Sequence, residues 1–217
     1  MKKTFILLLT AFGLAAGSAR AATITIDFEN NSITGGNLVL LASGNDAVDD
    51  FSGDRFDELS SASFEIQNIA GVGTLGITAT ALLDDLNITG DGLQDGPSGY
   101  DTAGEGTSFV FDRDVTITAL DWVSFTSAGS DSVTLRNGGA GLGTFSEGDS
   151  SGGIDFGSTN PSTMSIAVSS GDAFNAEYAG GDYYLGQMTL EVVPEPGTLA
   201  LASLAALAVF ALHRRRR

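Results

Sequence analysis

The sequence predicts an all-β fold, an antiparallel β-sandwich of jelly-roll type, and three observations carry that expectation. Short runs of β-branched and aromatic residues alternate with clusters of Gly, Asp, Ser and Asn, which is the spacing of strands and turns. Several runs alternate apolar and polar residues with a period of two, giving each strand one dry and one wet face, as in stacked antiparallel sheets. Ten candidate strands fit within a body of about 170 residues, a length that buries roughly 70% of its unfolded surface.

The elements follow in chain order. Lys2 and Lys3 precede an apolar run from Phe5 to Ala16, and Ala19-Arg20-Ala21 supplies an A-x-A. A basic start, a short apolar core and small residues make residues 1–21 a secretory signal peptide, cut after Ala21. The body, 22–193, opens with a strand at Thr23–Glu29, in which Ile24, Ile26 and Phe28 face one way. Strands follow at Asn37–Ala42, Ser61–Ile69, Thr74–Leu82, Thr107–Asp112 and Asp114–Thr126. Phe64 and Ile66 share a face that continues to Asn68. In Asp114–Thr126 the face of Val115 and Ile117 continues onto Asp121, so a bulge near Ala119-Leu120 is needed to turn Leu120 and Trp122 inward. Asp131–Asn137, Thr163–Ser169, Ala173–Tyr178 and Tyr183–Val193 complete the strands. The stretch Gly141 to Gly153 reads as turns, since it lacks the lysine and the strand-loop-helix setting of a phosphate loop. No repeat of 20 to 50 residues is present, which argues against a solenoid or propeller.

The last segment, 194–217, differs from everything before it. Pro194 and Pro196 end the strand and make an extended joint. Thr198 to Leu212 are fifteen uncharged residues, a helix of about 22 Å that can span a thinned bilayer with snorkelling flanks. Arg214, Arg215, Arg216 and Arg217 place its end in the cytoplasm and the body outside.

Pro194-Glu195-Pro196, an apolar span and terminal arginines, in that order and behind a signal peptide, resemble the PEP-CTERM sorting signal of exported bacterial proteins, also called the ice-binding protein C-terminal domain. The resemblance implies recognition of Pro194, Glu195 and Pro196 by an exosortase, a membrane transpeptidase of Gram-negative organisms that make extracellular polysaccharide. It also implies a tail that is expendable after an inner-membrane intermediate; a permanent anchor is the alternative. A second stretch, from Gly99 to Leu135 and written GYDTAGEGTSFVFDRDVTITALDWVSFTSAGSDSVTL, resembles a segment common in bacterial proteins with this tail and implies the same sandwich.

Charge narrows the function. The chain of 217 residues carries a net charge of −17. Within the body, 26 acidic residues stand against Arg55, Arg113 and Arg136, a formal charge of −23. Such a surface repels phosphate backbones, so nucleic acid is excluded as a partner. The body contains no lysine, histidine or cysteine. Disulfides, zinc sites, Schiff bases and His-assisted nucleophiles are therefore absent from it. A carboxylate pair acting on glycans needs only two acids, but no pair stands out among 26, and the expectation is a protein that is not an enzyme.

Two binding chemistries stay open. Asp46, Asp49, Asp50, Asp54, Asp57 and Glu58 crowd one loop, and Asp91, Asp95 and Asp101 another. Calcium takes six to eight such oxygens from flexible loops, while the simpler reading is ordinary Asp- and Gly-rich turns. No cofactor other than such an ion is expected. For glycan contact, Tyr183 and Tyr184 at a strand start put one ring on each face, so at least one should be exposed; Trp122 fits the core better. Ice binding would need a regular Thr array, and the Thr runs do not repeat. The expectation is an exported cell-surface or extracellular-matrix protein, structural or adhesive and linked to exopolysaccharide. The alternatives are a glycan- or calcium-binding module and a carboxylate-dependent hydrolase.

Overall fold

The computed structural model describes residues 21–30, 32–41, 60–84, 86–89, 92–95, 100–125, 131–156 and 162–193. The expected signal peptide over 1–21, the apolar span 198–212 and the arginine run fall outside the described residues except for Ala21, as does the acidic stretch from Asp46 to Glu58. No helix among the described residues is long and apolar enough to cross a membrane.

The described residues form strands and turns. In chain order the strands are β1 (Ala22–Asp27), β2 (Ser32–Thr34), β3 (Asn37–Leu41), β4 (Ser61–Ile69), β5 (Gly73–Ala81), β6 (Leu86–Thr89), β7 (Gly92–Asp95) and β8 (Gly106–Phe111). Then come β9 (Val115–Val123), β10 (Ser132–Asn137), β11 (Ala140–Ser146), β12 (Ser150–Ser151), β13 (Ile154–Asp155), β14 (Ser162–Val168), β15 (Ala173–Gly180) and β16 (Tyr184–Val192). The first sheet runs β12-β13-β14-β9-β16-β1-β2, with the β6-β7 hairpin joined to β16 through β7. The second runs β11-β10-β15-β8-β5-β4-β3. Every pairing is antiparallel. Within them, β1-β16-β9-β14 and β8-β15-β10-β11 have the strand order of a jelly roll, and β2 to β7 fill the connection between its first two strands.

All ten strands expected from the sequence are present, with ends shifted by no more than three residues. Alternation is what fixes them. Ile24 and Ile26 in β1, Phe64 and Ile66 in β4, and Met188, Leu190 and Val192 in β16 are all buried, and residues of both sheets merge into one core. The residues between them look outward, which is why the wet faces carry Thr, Ser and acids.

The bulge expected in β9 is there. Thr189 lies opposite Ala119 while the next residue, Leu190, lies opposite Ile117, so Thr118 is the extra residue and Leu120 and Trp122 return to the core. A compensating irregularity sits in β16, where Gly186 is skipped between Leu185 and Gln187 and its carbonyl accepts the Phe28 N–H at 2.8 Å. An added Cβ at Gly186 would stand 2.8 Å from Val123 Cγ2, so the close approach of β9 requires glycine there.

Two expectations need correction. Asn68 does not continue the inner face of β4: it is exposed, with φ of 58°, and a register shift between Ile66 and Ile69 hands the core position to Ile69. The stretch from Gly141 to Gly153 is not all turn. It contains most of β11 together with β12, and Phe145 enters the core and stacks on Phe156 at 5.1 Å. Glycines at alternate positions hide that strand, because they remove the side chains that would show its period.

Candidate functional site

Several of the described carboxylates cap turns and loops, while Glu177 pairs with Arg136 at 2.9 Å. Asp27 accepts the Asn30 N–H, Asp149 the Ser146 N–H and Asp114 the Ser170 N–H, each at 2.8 Å. Each closes a backbone turn or loop with the acceptor that turn chemistry favours.

The densest polar node lies where β5, β7 and β8 meet. Asp95, at the end of β7, is fully buried. Its Oδ2 accepts the N–H groups of Leu82, Leu83 and Gly106 at 3.0, 3.0 and 2.8 Å, and its Oδ1 accepts that of Asp84 at 2.8 Å. One carboxylate thus fixes the turn after β5 to the start of β8 and turns Leu82 and Leu83 out to solvent. Further along the chain, Glu105 is also buried and accepts the Asp101 and Thr102 N–H groups at 2.6 and 2.7 Å. Burial is the main reason its carboxyl titrates above the usual range. The charges of Asp101 and Asp95 push the same way, and the two N–H bonds oppose them.

Tyr100 borders this node from the core side, and Tyr183 packs against Tyr100. The Tyr100 hydroxyl shares a hydrogen bond with Thr107, and Tyr183 donates to the Ser132 carbonyl at 2.8 Å. Their rings are 5.5 Å apart, and Trp122 meets Tyr183 edge-on at 5.6 Å. Burial disfavours the phenolate and pushes the pKa of both phenols far above that of a free tyrosine.

That placement corrects one candidate glycan contact. Tyr183 is fully buried, because it shares a face with Leu185 and packs with Trp122 and Phe125. Tyr184 points the other way, opposite Val123, and is half-buried on the outer face. Trp122 is in the core, as its strand suggested.

The calcium candidates divide. Asp46, Asp49, Asp50, Asp54, Asp57 and Glu58 are outside the described residues, as is Asp91. Asp95 is unsuited to an ion, since four N–H donors surround its two oxygens and would repel a cation. Among the described residues, no three acids converge as a metal site.

Two surfaces remain. On the outer face of the first sheet, paired positions run Thr34, Thr25, Thr189, Ala119, Thr163, Asp155 and Ser150 across successive strands. The Thr25 and Thr189 hydroxyls are 3.3 Å apart, and none of these positions carries a cation. On the second sheet a shallow groove of about 400 Å³ runs past Ser63, Thr78, Val110 and Asp112, where Gly76 has no side chain to fill it.

The chain enters and leaves the body at one corner. Ala22, first in β1, is paired with Val192, last in β16, and Val192 is paired on its other side with Val115. Val193 is 58% exposed and is the last described residue before Pro194.

The body therefore defines a two-sheet, all-β domain whose best-placed acids hold turns, with its termini side by side. The segment that follows is where the comparisons speak: residues 192–217 match the model of the PEP-CTERM protein-sorting motif. Pro194, Glu195, Pro196 and the four arginines from Arg214 to Arg217 all fall inside the match. The chain carries this sorting motif, which supports an exported protein processed at the membrane by an exosortase-type enzyme. No curated protein and no solved structure matches the chain.

Proposed function

We propose that the protein is a non-enzymatic structural or adhesive component of the cell surface or extracellular matrix, delivered there by its C-terminal sorting signal and held against exopolysaccharide. The observation that carries this reading is the sorting motif at residues 192–217, which begins at the last residue of β16. A signal peptide over 1–21 and an apolar span over 198–212 complete the route: export, a membrane intermediate, then release of the tail.

The body supports a passive role. The buried carboxylates of Asp95 and Glu105 accept backbone N–H groups, which commits them to holding turns rather than to acid-base work. The hydroxyl row on the first sheet favours a neutral, hydroxyl-rich polymer over an anionic one, since nothing on it attracts negative charge. Tyr184 is the aromatic that remains for a sugar ring on that face. Calcium stays a secondary reading, confined to the loop from Asp46 to Glu58.

Cell fractionation tests the route. The intact chain is expected in the surface or matrix fraction, and a chain ending at Val193 in the medium. Equal distribution of the two would remove the sorting role. Cosedimentation with the organism's own exopolysaccharide tests the partner, with loss expected when Thr25 and Thr189 are both changed to Glu.

A further inference from the structure

We propose that Asn137 is a modification site held in check by the fold: its side-chain amide is lost by reaction with the backbone when the β10-β11 hairpin opens, and the carboxylate left behind cuts a tie between the two sheets.

Asn137 is the one asparagine in the chain that precedes a glycine. A glycine has no side chain to hinder its nitrogen, so Asn-Gly is the dipeptide in which the backbone attacks the asparagine amide most readily. The Gly138 nitrogen bonds to Cγ of Asn137, the Cγ–Nδ2 bond breaks, and ammonia leaves with the proton given up by Gly138. Water then opens the resulting cyclic imide at either carbonyl. The product is aspartate, or its isomer with the main chain routed through the side chain. The balance is one water consumed and one ammonia released, with no other reactant.

The fold restrains both partners in that reaction. Asn137 is the last residue of β10, opposite Ala140 in β11 and Phe174 in β15. Gly138 and Gly139, with φ of 56° and 82°, make the tight two-residue loop of the hairpin. Ring closure needs Cγ and the next nitrogen on one side of the Cα–C bond, and the extended backbone of a strand keeps them apart. The Gly138 N–H donates to the Ala173 carbonyl at 2.9 Å, so the nucleophile must first give up an acceptor. The Asn137 Nδ2 donates to the Ala167 carbonyl at 2.7 Å, so the leaving group is held as well. Fraying of the hairpin end releases all three restraints together, and loop tips are where local opening is easiest.

The same amide holds structure. Ala167 belongs to β14, so its bond with Asn137 crosses from the second sheet to the first. Among the described residues β14 meets β13 only at Thr163, and Ala167 lies beyond that contact. The Asn137 amide gives β14 a donor there. A carboxylate at position 137 has no proton to donate and sets its oxygens against the Ala167 carbonyl. The bond is exposed, so that carbonyl can turn to water, and the change loosens this corner without unfolding the body.

Peptide mass spectrometry on the full chain tests the site, following the gain of one mass unit at position 137 in mildly alkaline buffer with and without urea. Conversion in the folded protein is expected to be roughly tenfold or more slower than in urea. Equal rates, or no conversion in urea, overturn the proposal. Asn137→Asp tests the tie independently of any rate. Its melting midpoint is expected to fall a few degrees below that of the parent; a midpoint equal to the parent's overturns the tie.

Discussion

Asp95 shows what a single buried acid does here. Four N–H groups converge on its carboxylate; without it the Leu82 N–H keeps only the Gly106 carbonyl, the half-buried Leu83 and Asp84 N–H groups lose their acceptor, and the Gly106 N–H is left unmet in a buried setting. Unmet buried donors cost about 1–3 kcal/mol each before relaxation, so Asp95→Ala should destabilise the body by about 3 kcal/mol or more in urea unfolding. Asp95→Asn keeps one acceptor and should fall between. Glu105 makes a prediction of opposite character. Its carboxyl titrates above its ordinary value of about 4.3, so between that value and the folded one the folded state holds more protons than the unfolded. Stability therefore falls as pH rises through this window. Glu105→Gln stays neutral and keeps a carbonyl to accept the Asp101 and Thr102 N–H groups. Its melting temperature relative to the parent should climb as pH rises from the acid side of the window and level off above it. A difference that shrinks with rising pH would mean the ionised carboxylate holds the turn better than an amide does.

At the level of the element, the β9 bulge decides which face of a strand is dry. Deleting Thr118 would remove the extra residue and leave Val115, Ile117, Leu120 and Trp122 on one face by simple alternation. That variant should keep the near-ultraviolet circular dichroism of a folded body, and loss of the signal would mean that the kink of the bulge, not only its change of parity, is needed. Thr118→Ala loses only the 3.3 Å bond to the Thr189 carbonyl and should cost no more than about 1 kcal/mol. The bulge is legible in the sequence because Asp121 falls where an apolar residue is due. β11 is not legible, because Gly141 and Gly143 erase its period, and β2, β6, β7, β12 and β13 are too short to show one. For the candidate site the record is mixed for physical reasons. Tyr183 shares parity with Leu185, a cue that assigns it to the core. Asp95 and Glu105 sit in Asp- and Gly-rich sequence that composition reads as open turn, and only the three-dimensional convergence of N–H groups marks them out.

For the molecule as a whole, the governing fact is that the first strand pairs with the last. β1 leaves the membrane first during export, yet its partner β16 comes last, and β16 also holds β9. The first sheet cannot close until Val192 is outside, so a chain ended after Asp182 should not fold. The same adjacency makes a permutant available. Ala22 and Val192 are opposite each other, about 5 Å apart between Cα atoms, so a linker of about four residues joins Val193 to Ala22 as a hairpin. New ends between Gly152 and Gly153 open an exposed turn between β12 and β13, where such breaks are tolerated. The join turns the most distant pairing in the chain into a local one and removes its loop-closure entropy from the folding barrier. The permutant should refold faster than the parent and unfold at a similar rate in stopped-flow denaturant jumps. An unchanged refolding rate would mean that β1 docks after the barrier, with the sandwich nucleating on the β9-β16 side alone.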